Sequence, residues 1–344
     1  MWFIERDVPL VKFIDRTFNS SRHFSMEIWR FLMENARNTR FHFEIEADLL
    51  DDASLELLSK APKDLFQFEI GVQTTNKDVL KNINRFMDFK RLSSNTIKIV
   101  DNSNIQCHLD LIAGLPGEDM ESFRKSFDDC IKIRPHMLQL GFLKVLKGSP
   151  MMNCVEEYGL KFMPYAPYQI LSTRDMSLED MRKLVKLEQI LEDFYNSGIF
   201  FLSINLIIGR SKSQFDWFTG FSKFAEERGY FSRRFDLRDK FYLLYEFVSG
   251  HIPDGQLKEL LRMDYLLATK KTYLPEFLQI QIPDICKERL YEIKKNIKDE
   301  DFRFTVFMPV SIRIKKQGRS VIPEKWDGFC SINVRNGSVE YYSG

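Results

Sequence analysis

Three short runs of this chain carry carboxylates and amides at alternate positions, and the third ends in a glycine-rich turn. They are Phe41-His42-Phe43-Glu44-Ile45-Glu46-Ala47-Asp48, Leu65-Phe66-Gln67-Phe68-Glu69-Ile70-Gly71-Val72-Gln73, and Ile105-Gln106-Cys107-His108-Leu109-Asp110-Leu111-Ile112-Ala113-Gly114-Leu115-Pro116-Gly117-Glu118. Residues i and i+2 of a strand share a face. Glu44, Glu46 and Asp48 therefore point one way and Phe43 and Ile45 the other, and the second and third runs divide likewise. A parallel strand covered on both faces is ordinarily apolar throughout. A carboxylate-rich face must instead be solvated or turned toward a polar ligand, which predicts a cavity and a site.

The elements that must hold these runs alternate in type. Leu10 to Ile14 reads as a short apolar strand ending in the polar loop Asp15-Arg16-Thr17-Phe18-Asn19. Ser25 to Asn35 reads as a helix with Ser25 as its N-cap and Ile28, Phe31 and Leu32 on one face. Helices follow the next strands at Asp51–Ser59, after Thr75-Asn76-Lys77-Asp78, at Ser93–Asp101 and at Met120–Ile133, and Met137 to Val145 forms a fifth strand. Strands alternating with helices of this length predict right-handed βαβ units and a parallel sheet. Gly114-Leu115-Pro116-Gly117-Glu118 lies just past a strand's C-terminal end, where parallel α/β sheets bind ligands.

The pattern stops near Gly148-Ser149-Pro150, and residues 151–176 read as a linker punctuated by Gly159, Pro164 and Pro167. Ser177–Asn196 predicts a long amphipathic helix, followed by helices through Phe221–Arg228, Asp239–Val248, Gln256–Ala268 and Pro283–Lys295. The tail, Phe302–Ile314 and Gly328–Tyr342, is rich in Phe, Val, Ile and Tyr, with Asn336-Gly337 suited to a hairpin turn. The expected organisation is a sheet domain over 1–150, the linker, and an α-rich domain over 177–344 with a terminal β hairpin.

The 344 residues are 44% hydrophobic with 31 Phe, ample for two cores. A net charge of +1 implies neither nucleic acid nor an anionic membrane as partner. No apolar run approaches the roughly 18–20 residues of a membrane span, and Met1–Asp7 lacks the features of a signal peptide, so a cytoplasmic location is expected. Cys107, Cys130, Cys154, Cys286 and Cys330 are widely separated, with no two at ligand spacing, and read as reduced thiols rather than a local metal site.

Glu46 inside Ile-Glu-Ala-Asp, Gln73 inside Ile-Gly-Val-Gln-Thr, Arg85 inside Leu-Lys-Asn-Ile-Asn-Arg, and Asp110 inside Leu-Asp-Leu-Ile-Ala-Gly-Leu-Pro-Gly-Glu resemble, in order and spacing, successive strands of the radical S-adenosylmethionine superfamily. Val11 to Asn19 is most similar to its cobalamin-binding branch, and the second half resembles the helical C-terminal domain of unassigned role found there. The resemblance implies a (β/α) barrel and roles for single residues. Glu46 would receive the methionyl ammonium and Arg85 the methionyl carboxylate. Gln73 and Asp110 would hold ribose hydroxyls, and Gly114 and Gly117, stiffened by Pro116, would let backbone approach the adenine. Glu69 and Asp15 would line the pocket, His108 would face the same lumen or be a hydrogen-bonded core histidine, and Lys144 or Lys147 would meet a substrate anion. Each position also has a plain reading: a solvated strand-end acid for Glu46, loop hydrogen bonding for Gln73 and Asp110, a surface arginine on a helix for Arg85.

The superfamily builds its 4Fe–4S cluster on a Cys-x3-Cys-x2-Cys loop, and this chain has no such triplet. Its start aligns with the end of the first crossover helix, so the expected barrel is partial, lacking its first strand, with the cluster and cobalamin held only in a longer enzyme. A fragment incompetent for the family reaction is therefore expected, with the edge of Leu10–Ile14 exposed to self-association. Two other readings stay open. One is a (β/α) barrel hydrolase or lyase using Glu44, Glu46, Glu69 and Asp110 as general acid and base. The other is a non-catalytic scaffold protein whose helical part, 170–300, docks a partner. The small-molecule substrate is not legible.

Overall fold

The computed structural model describes residues 1–249, 254–280, 282, 287–295 and 302–343. Its first sheet has five strands in sequential order, β1 (Leu10–Lys12), β2 (Arg40–Ile45), β3 (Phe66–Gln73), β4 (Gln106–Ala113) and β5 (Met137–Phe142). All four pairings are parallel. Between them run α1 (Arg22–Asn35), α2 (Asp52–Ser59), α3 (Lys77–Asn82), α4 (Phe89–Asn102) and α5 (Met120–Lys132). The protein is thus an α/β fold with a parallel five-stranded sheet, followed by a helical region and a small antiparallel sheet.

The period-2 split of the strands governs this sheet. Phe66, Phe68, Ile70 and Val72 of β3 are buried while Gln67, Glu69, Gly71 and Gln73 are half-buried, and β4 alternates in the same phase. On the apolar face Phe43 packs on Phe13, Phe18, Trp29, Phe66 and Phe68, with ring centroids 4.4 to 6.4 Å apart. Burying rings of this size is the main stabilising term of such a face. In register across the polar face lie Glu44, Glu69 and His108, and one step further Gly71 and Asp110.

Helix starts are set by short polar side chains. Asp51 accepts from Ser54 N, Asn76 from Asp78 N, Asp88 from Arg91 N and Asp119 from Ser122 N. At α1 the expected cap is displaced: the helix begins at Arg22 after Ser21, and Ser25 is buried inside its first turns, its hydroxyl donating to Arg22 O. A serine in a helix can bond a backbone carbonyl one turn back instead of capping, so residue type alone misplaced this start.

Contacts divide the molecule into two compact units, residues 1–196 with 213–219, and residues 197–212 with 220–344. The first contains the sheet, the antiparallel pair β6 (Lys161–Phe162) and β7 (Ile170–Ser172), and α6 (Leu178–Ile190), which ends in a π-helical stretch over Leu191–Asn196 rather than one continuous helix. The remaining helices are α7 (Phe201–Arg210), α8 (Gln214–Glu227), α9 (Leu237–Ser249), α10 (Asp254–Thr269) and α11 (Lys287–Lys295). Helix α7 is enclosed, Leu202 through Ile208 all being buried. Residues 283–286, where a helix start and Cys286 were expected, lie outside the described residues.

The tail is a three-stranded antiparallel sheet rather than a hairpin: β8 (Thr305–Gln317), β9 (Ser320–Asn333) and β10 (Val339–Ser343) in the order β10-β9-β8. Asn336-Gly337 does turn β9 into β10. The second pairing is missed in sequence because Ser320–Asp327 mixes Pro323 and three charged residues into a strand.

Phe43 has the largest share of ring contacts on the apolar face and no exposed surface. Phe43→Ala is expected to lower unfolding free energy by about 3–5 kcal/mol, read from the midpoint of urea denaturation at constant slope.

Candidate functional site

Five of the sequence-selected residues converge on the polar face at the C-terminal edge of the sheet. Glu46 follows β2 directly, and its backbone is bracketed by one side chain: Asn19 Nδ2 donates to Glu46 O at 2.8 Å, and Glu46 N donates to Asn19 Oδ1 at 3.0 Å. The Glu46 carboxylate stays one-third exposed, with Thr17 Oγ1 at 3.4 Å and Arg85 Nη2 at 3.9 Å. Arg85 stands in the turn after α3, not on a helix, and donates from Nη2 to Gly71 O at 2.7 Å.

Gly71 explains how these groups fit. A Cβ there would lie 2.6 Å from Gln73 Nε2 and 3.4 Å from Arg85 Nη2, so the bare glycine lets both side chain ends stand where they do. Gln73 itself takes φ +67°, a left-handed conformation that costs a non-glycine residue about 1–3 kcal/mol and persists where surrounding structure imposes it. A break in register between Gly71 and Gln73 accompanies it.

Asp110 pairs in register with Gly71 and hydrogen-bonds Glu69. Burial, and then the Glu69 charge, push its carboxyl up to about 8. Glu69 shifts the opposite way, because His42 Nε2 donates to its Oε2 at 2.9 Å. The proton of the carboxyl pair therefore sits on Asp110, and Glu69 stays ionised against His42. His108 Nδ1 accepts from Gln67 Nε2, 3.3 Å away, and burial pushes its pKa down.

Three polar atoms of this group are buried with no protein partner: Gln73 Oε1, Arg85 Nε and Asp110 Oδ1. An unmatched buried donor or acceptor costs roughly 1–3 kcal/mol. All three lie around Gly71 and are closed to solvent, so a ligand that meets them must first displace the side chains that cover them. Beside Glu46 a cleft of about 890 Å³ opens, lined among others by Asp48, Leu80, Phe86 and Lys125.

The other sequence candidates are placed differently. Asp15 is exposed in the loop after β1, with no bond to the group above. Gly114 has φ +82°, and the space a Cβ would take is filled by Ile170, 2.7 Å away. Pro116 is buried, its carbonyl accepting from Asn82 Nδ2 at 2.9 Å. Lys144 and Lys147 are exposed, Lys147 lying 5.7 Å from the Tyr168 ring. Among residues that sequence reasoning left without a role, Asn19, His42 and Glu118 are buried and bonded into the strand ends. Asn19 sits in the polar loop after β1 and Glu118 at the end of the glycine-rich turn, so neither stands out locally, whereas His42 is a polar residue between Phe41 and Phe43. Among the described residues no group of three or more His, Cys, Asp or Glu is placed to hold a metal ion, and Cys107, Cys130 and Cys330 are buried. No described helix is long and apolar enough to cross a membrane.

The raised Asp110 value has a sign in stability. Its carboxyl ionises near 3.8 when unfolded and about 8 when folded, so the unfolded state loses its proton first and stability falls as pH rises between those values. Asp110→Asn removes that dependence. Its stability relative to the parent is expected to rise with pH across the window, by at most about 1.4 kcal/mol per pH unit, measured by urea denaturation at pH 5, 6.5 and 8.

Comparisons with known proteins place these residues in a family context. Residues 3–130 match the family model of the radical SAM superfamily, and residues 156–321 match that of a family of proteins of unknown function, DUF4080. No curated protein sequence matches the chain. Among solved structures, the radical S-adenosylmethionine methyltransferase TsrM from Kitasatospora setae, with cobalamin and a 4Fe–4S cluster bound, is similar at 14% identity and a TM-score of 0.42, over 67% of this chain and 54% of that one. The radical SAM enzyme coproporphyrinogen III oxidase, HemN, from Escherichia coli is similar at 18% identity and a TM-score of 0.39, over 52% and 39%. Elp3 from the archaeon Methanocaldococcus infernus, with an N-terminal deletion, is similar at 17% and 0.37, over 64% and 54%. The chain thus spans about a third to just over half the length of such structures. The segment that carries Glu46, Glu69, Gly71, Gln73, Arg85 and Asp110 is the one that matches the radical SAM superfamily, and it is followed by a segment that matches DUF4080.

Proposed function

We propose that this chain binds S-adenosylmethionine on the polar face of its parallel sheet and serves a radical S-adenosylmethionine enzyme of the cobalamin-dependent type. The observation that carries the reading is the set of buried, unpartnered atoms on Gln73, Arg85 and Asp110, grouped beside the partly exposed Glu46 carboxylate. Their chemistry fits the ligand. The Glu46 carboxylate receives the methionyl ammonium, Arg85 presents Nε to the methionyl carboxylate, and Gln73 Oε1 accepts from a ribose hydroxyl. Asp110 Oδ1 accepts from a second hydroxyl, its own proton being held toward Glu69. Bound there, S-adenosylmethionine supplies a methyl or adenosyl group to radical chemistry or methyl transfer.

The residues present do not fit a 4Fe–4S cluster. Its three thiolates have no counterpart among the described residues, where Cys107, Cys130, Cys154 and Cys330 are thiols and no group of three or more His, Cys, Asp or Glu is placed to hold a metal ion. We therefore assign binding and orientation of S-adenosylmethionine to this chain, and the cluster, the cobalamin and the reducing electron to residues outside these 344.

A second reading, a barrel hydrolase or lyase, draws on one observation: Asp110 and Glu69 form a carboxyl pair with opposed shifts, as general acid and base require. The two readings part on ligand binding. Isothermal titration with S-adenosylmethionine is expected to show one site, weakened about tenfold or more by Gln73→Ala and by Arg85→Ala, each of which deletes a ligand hydrogen bond worth about 1.5–3 kcal/mol to a charged or buried partner. Absence of binding to the folded parent chain contradicts the proposal and favours the hydrolase reading.

We also propose self-association through β1. Among the described strands it pairs only with β2, and Leu10 and Ile14 on this edge are exposed. Light scattering of the purified chain is expected to give a mass above 40.8 kDa, reduced to the monomer by Val11→Lys. A monodisperse monomer in the parent contradicts it.

A further inference from the structure

Glu118 ends the glycine-rich turn after β4, yet its side chain does not face the ligand side. It is fully buried. Its Oε1 accepts from Thr74 Oγ1 at 2.5 Å and from Ser122 Oγ at 3.4 Å, and its Oε2 is buried with no protein partner. Thr74 follows Gln73 directly, so this carboxyl joins the turn after β3 to the turn after β4.

The junction is dense. Thr74 Oγ1 lies 3.1 Å from Ser126 Oγ and accepts from Asn76 N at 3.1 Å; Thr75 N donates to Ser126 Oγ at 2.9 Å; Asn76 Nδ2 donates to Ser122 Oγ at 2.9 Å. From the other side Asn82 Nδ2 reaches Pro116 O, and Gly117, at φ +79°, leaves space that a Cβ would take within 2.7 Å of that same Nδ2. These bonds cross between two turns that otherwise belong to different βα units. They also flank Gln73, whose left-handed backbone needs support from its surroundings.

We propose that Glu118 is a positioning residue: its buried carboxyl locks the turn after β3 to the turn after β4, and so holds Gln73 and the Gly114–Pro116 backbone in one S-adenosylmethionine-binding arrangement. This rests on the functional reading above. The lock acts through Thr74, and Glu118 itself touches no ligand.

A carboxyl in this place holds its proton to higher pH than an exposed one. Burial pushes it up to about 7, against the bonds from Thr74 and Ser122, which lower it, and with the neighbouring Asp119 charge, which raises it. Asp129 on α5 also reaches the junction, accepting from Thr75 Oγ1 at 3.1 Å, Lys77 and Lys125 line the cleft beside Thr75, and the Tyr158 ring stands beside Gly117. When the lock opens, the carboxyl meets water and ionises at its ordinary value near 4.5. Between that value and about 7 the closed state holds a proton that the open state has released, so opening becomes easier as pH rises. Above about 7 both states are ionised and the dependence ends.

The test is amide hydrogen exchange of the full chain, corrected for the intrinsic pH dependence, in the segments 74–80 and 114–119. In the parent, protection of both segments is expected to fall in parallel by about tenfold per pH unit from about 5 to about 7 and then to level off. Glu118→Gln, which keeps the shape and cannot ionise, is expected to show no such slope. S-adenosylmethionine itself is the probe for the ligand: at saturation it should raise protection of both segments together. Glu118→Ala should bind it about tenfold or more weakly, with Glu118→Gln restoring affinity to within about twofold. The proposal is overturned if Glu118→Gln keeps the parental slope, or if the two segments respond independently. Parallel slopes that vanish in Glu118→Gln, together with no uptake of S-adenosylmethionine, would uphold the lock and overturn the ligand reading instead.

Discussion

Phe43, Phe66 and Phe68 can be buried only on the side of the sheet that the helices cover, and in a strand that choice dictates where every neighbour goes. With the rings on the helix side, Glu44, Gln67, Glu69, Gly71, Gln73, His108 and Asp110 have no alternative but the opposite face. Slipping one strand by one residue would bury a carboxylate among phenylalanines, at a cost well above that of any single contact in the site. The aromatic face is thus what fixes the register, and the register is what brings Glu69 beside Asp110 and Asp110 beside Gly71.

The polar face then resolves its own electrostatics in a graded way. His42 holds Glu69 ionised, Glu69 keeps Asp110 protonated, and Asp110 keeps one oxygen unmatched. Desolvation wins over repulsion as the leading cause at Asp110, since burial is the larger influence on its carboxyl. A chain of this kind leaves a neutral acceptor oxygen next to an anion, which suits a ligand with hydroxyls better than one with a second negative charge. The charged ends of the site lie further out, at Glu46 and Arg85, where partial solvent access makes ionised side chains inexpensive.

Much of this was legible in the sequence, for a physical reason: period-2 alternation with Phe on one phase survives into the fold because hydrophobic burial decides it. Glu46, Gln73 and Asp110 were placed by it correctly at strand ends or on the polar face. What stayed hidden were long-range bonds that no local pattern encodes. Asn19 bracketing Glu46 spans 27 residues, and Thr74 reaching Glu118 spans 44. Glu118 looked like one more polar turn residue, and only its neighbours make it a buried one. Arg85 reads as a helical surface arginine until α3 stops at Asn82 and sends the chain back over Gly71.

The account depends on Gln73, Arg85 and Asp110 being matched by a ligand rather than by one another. A crystal structure of the chain with S-adenosylmethionine tests this most directly. The expected result is ligand oxygen or nitrogen atoms within hydrogen-bond distance of Gln73 Oε1, Arg85 Nε and Asp110 Oδ1, with the methionyl ammonium at Glu46. S-adenosylmethionine bound elsewhere on the molecule, with those three atoms still unpartnered, would contradict it.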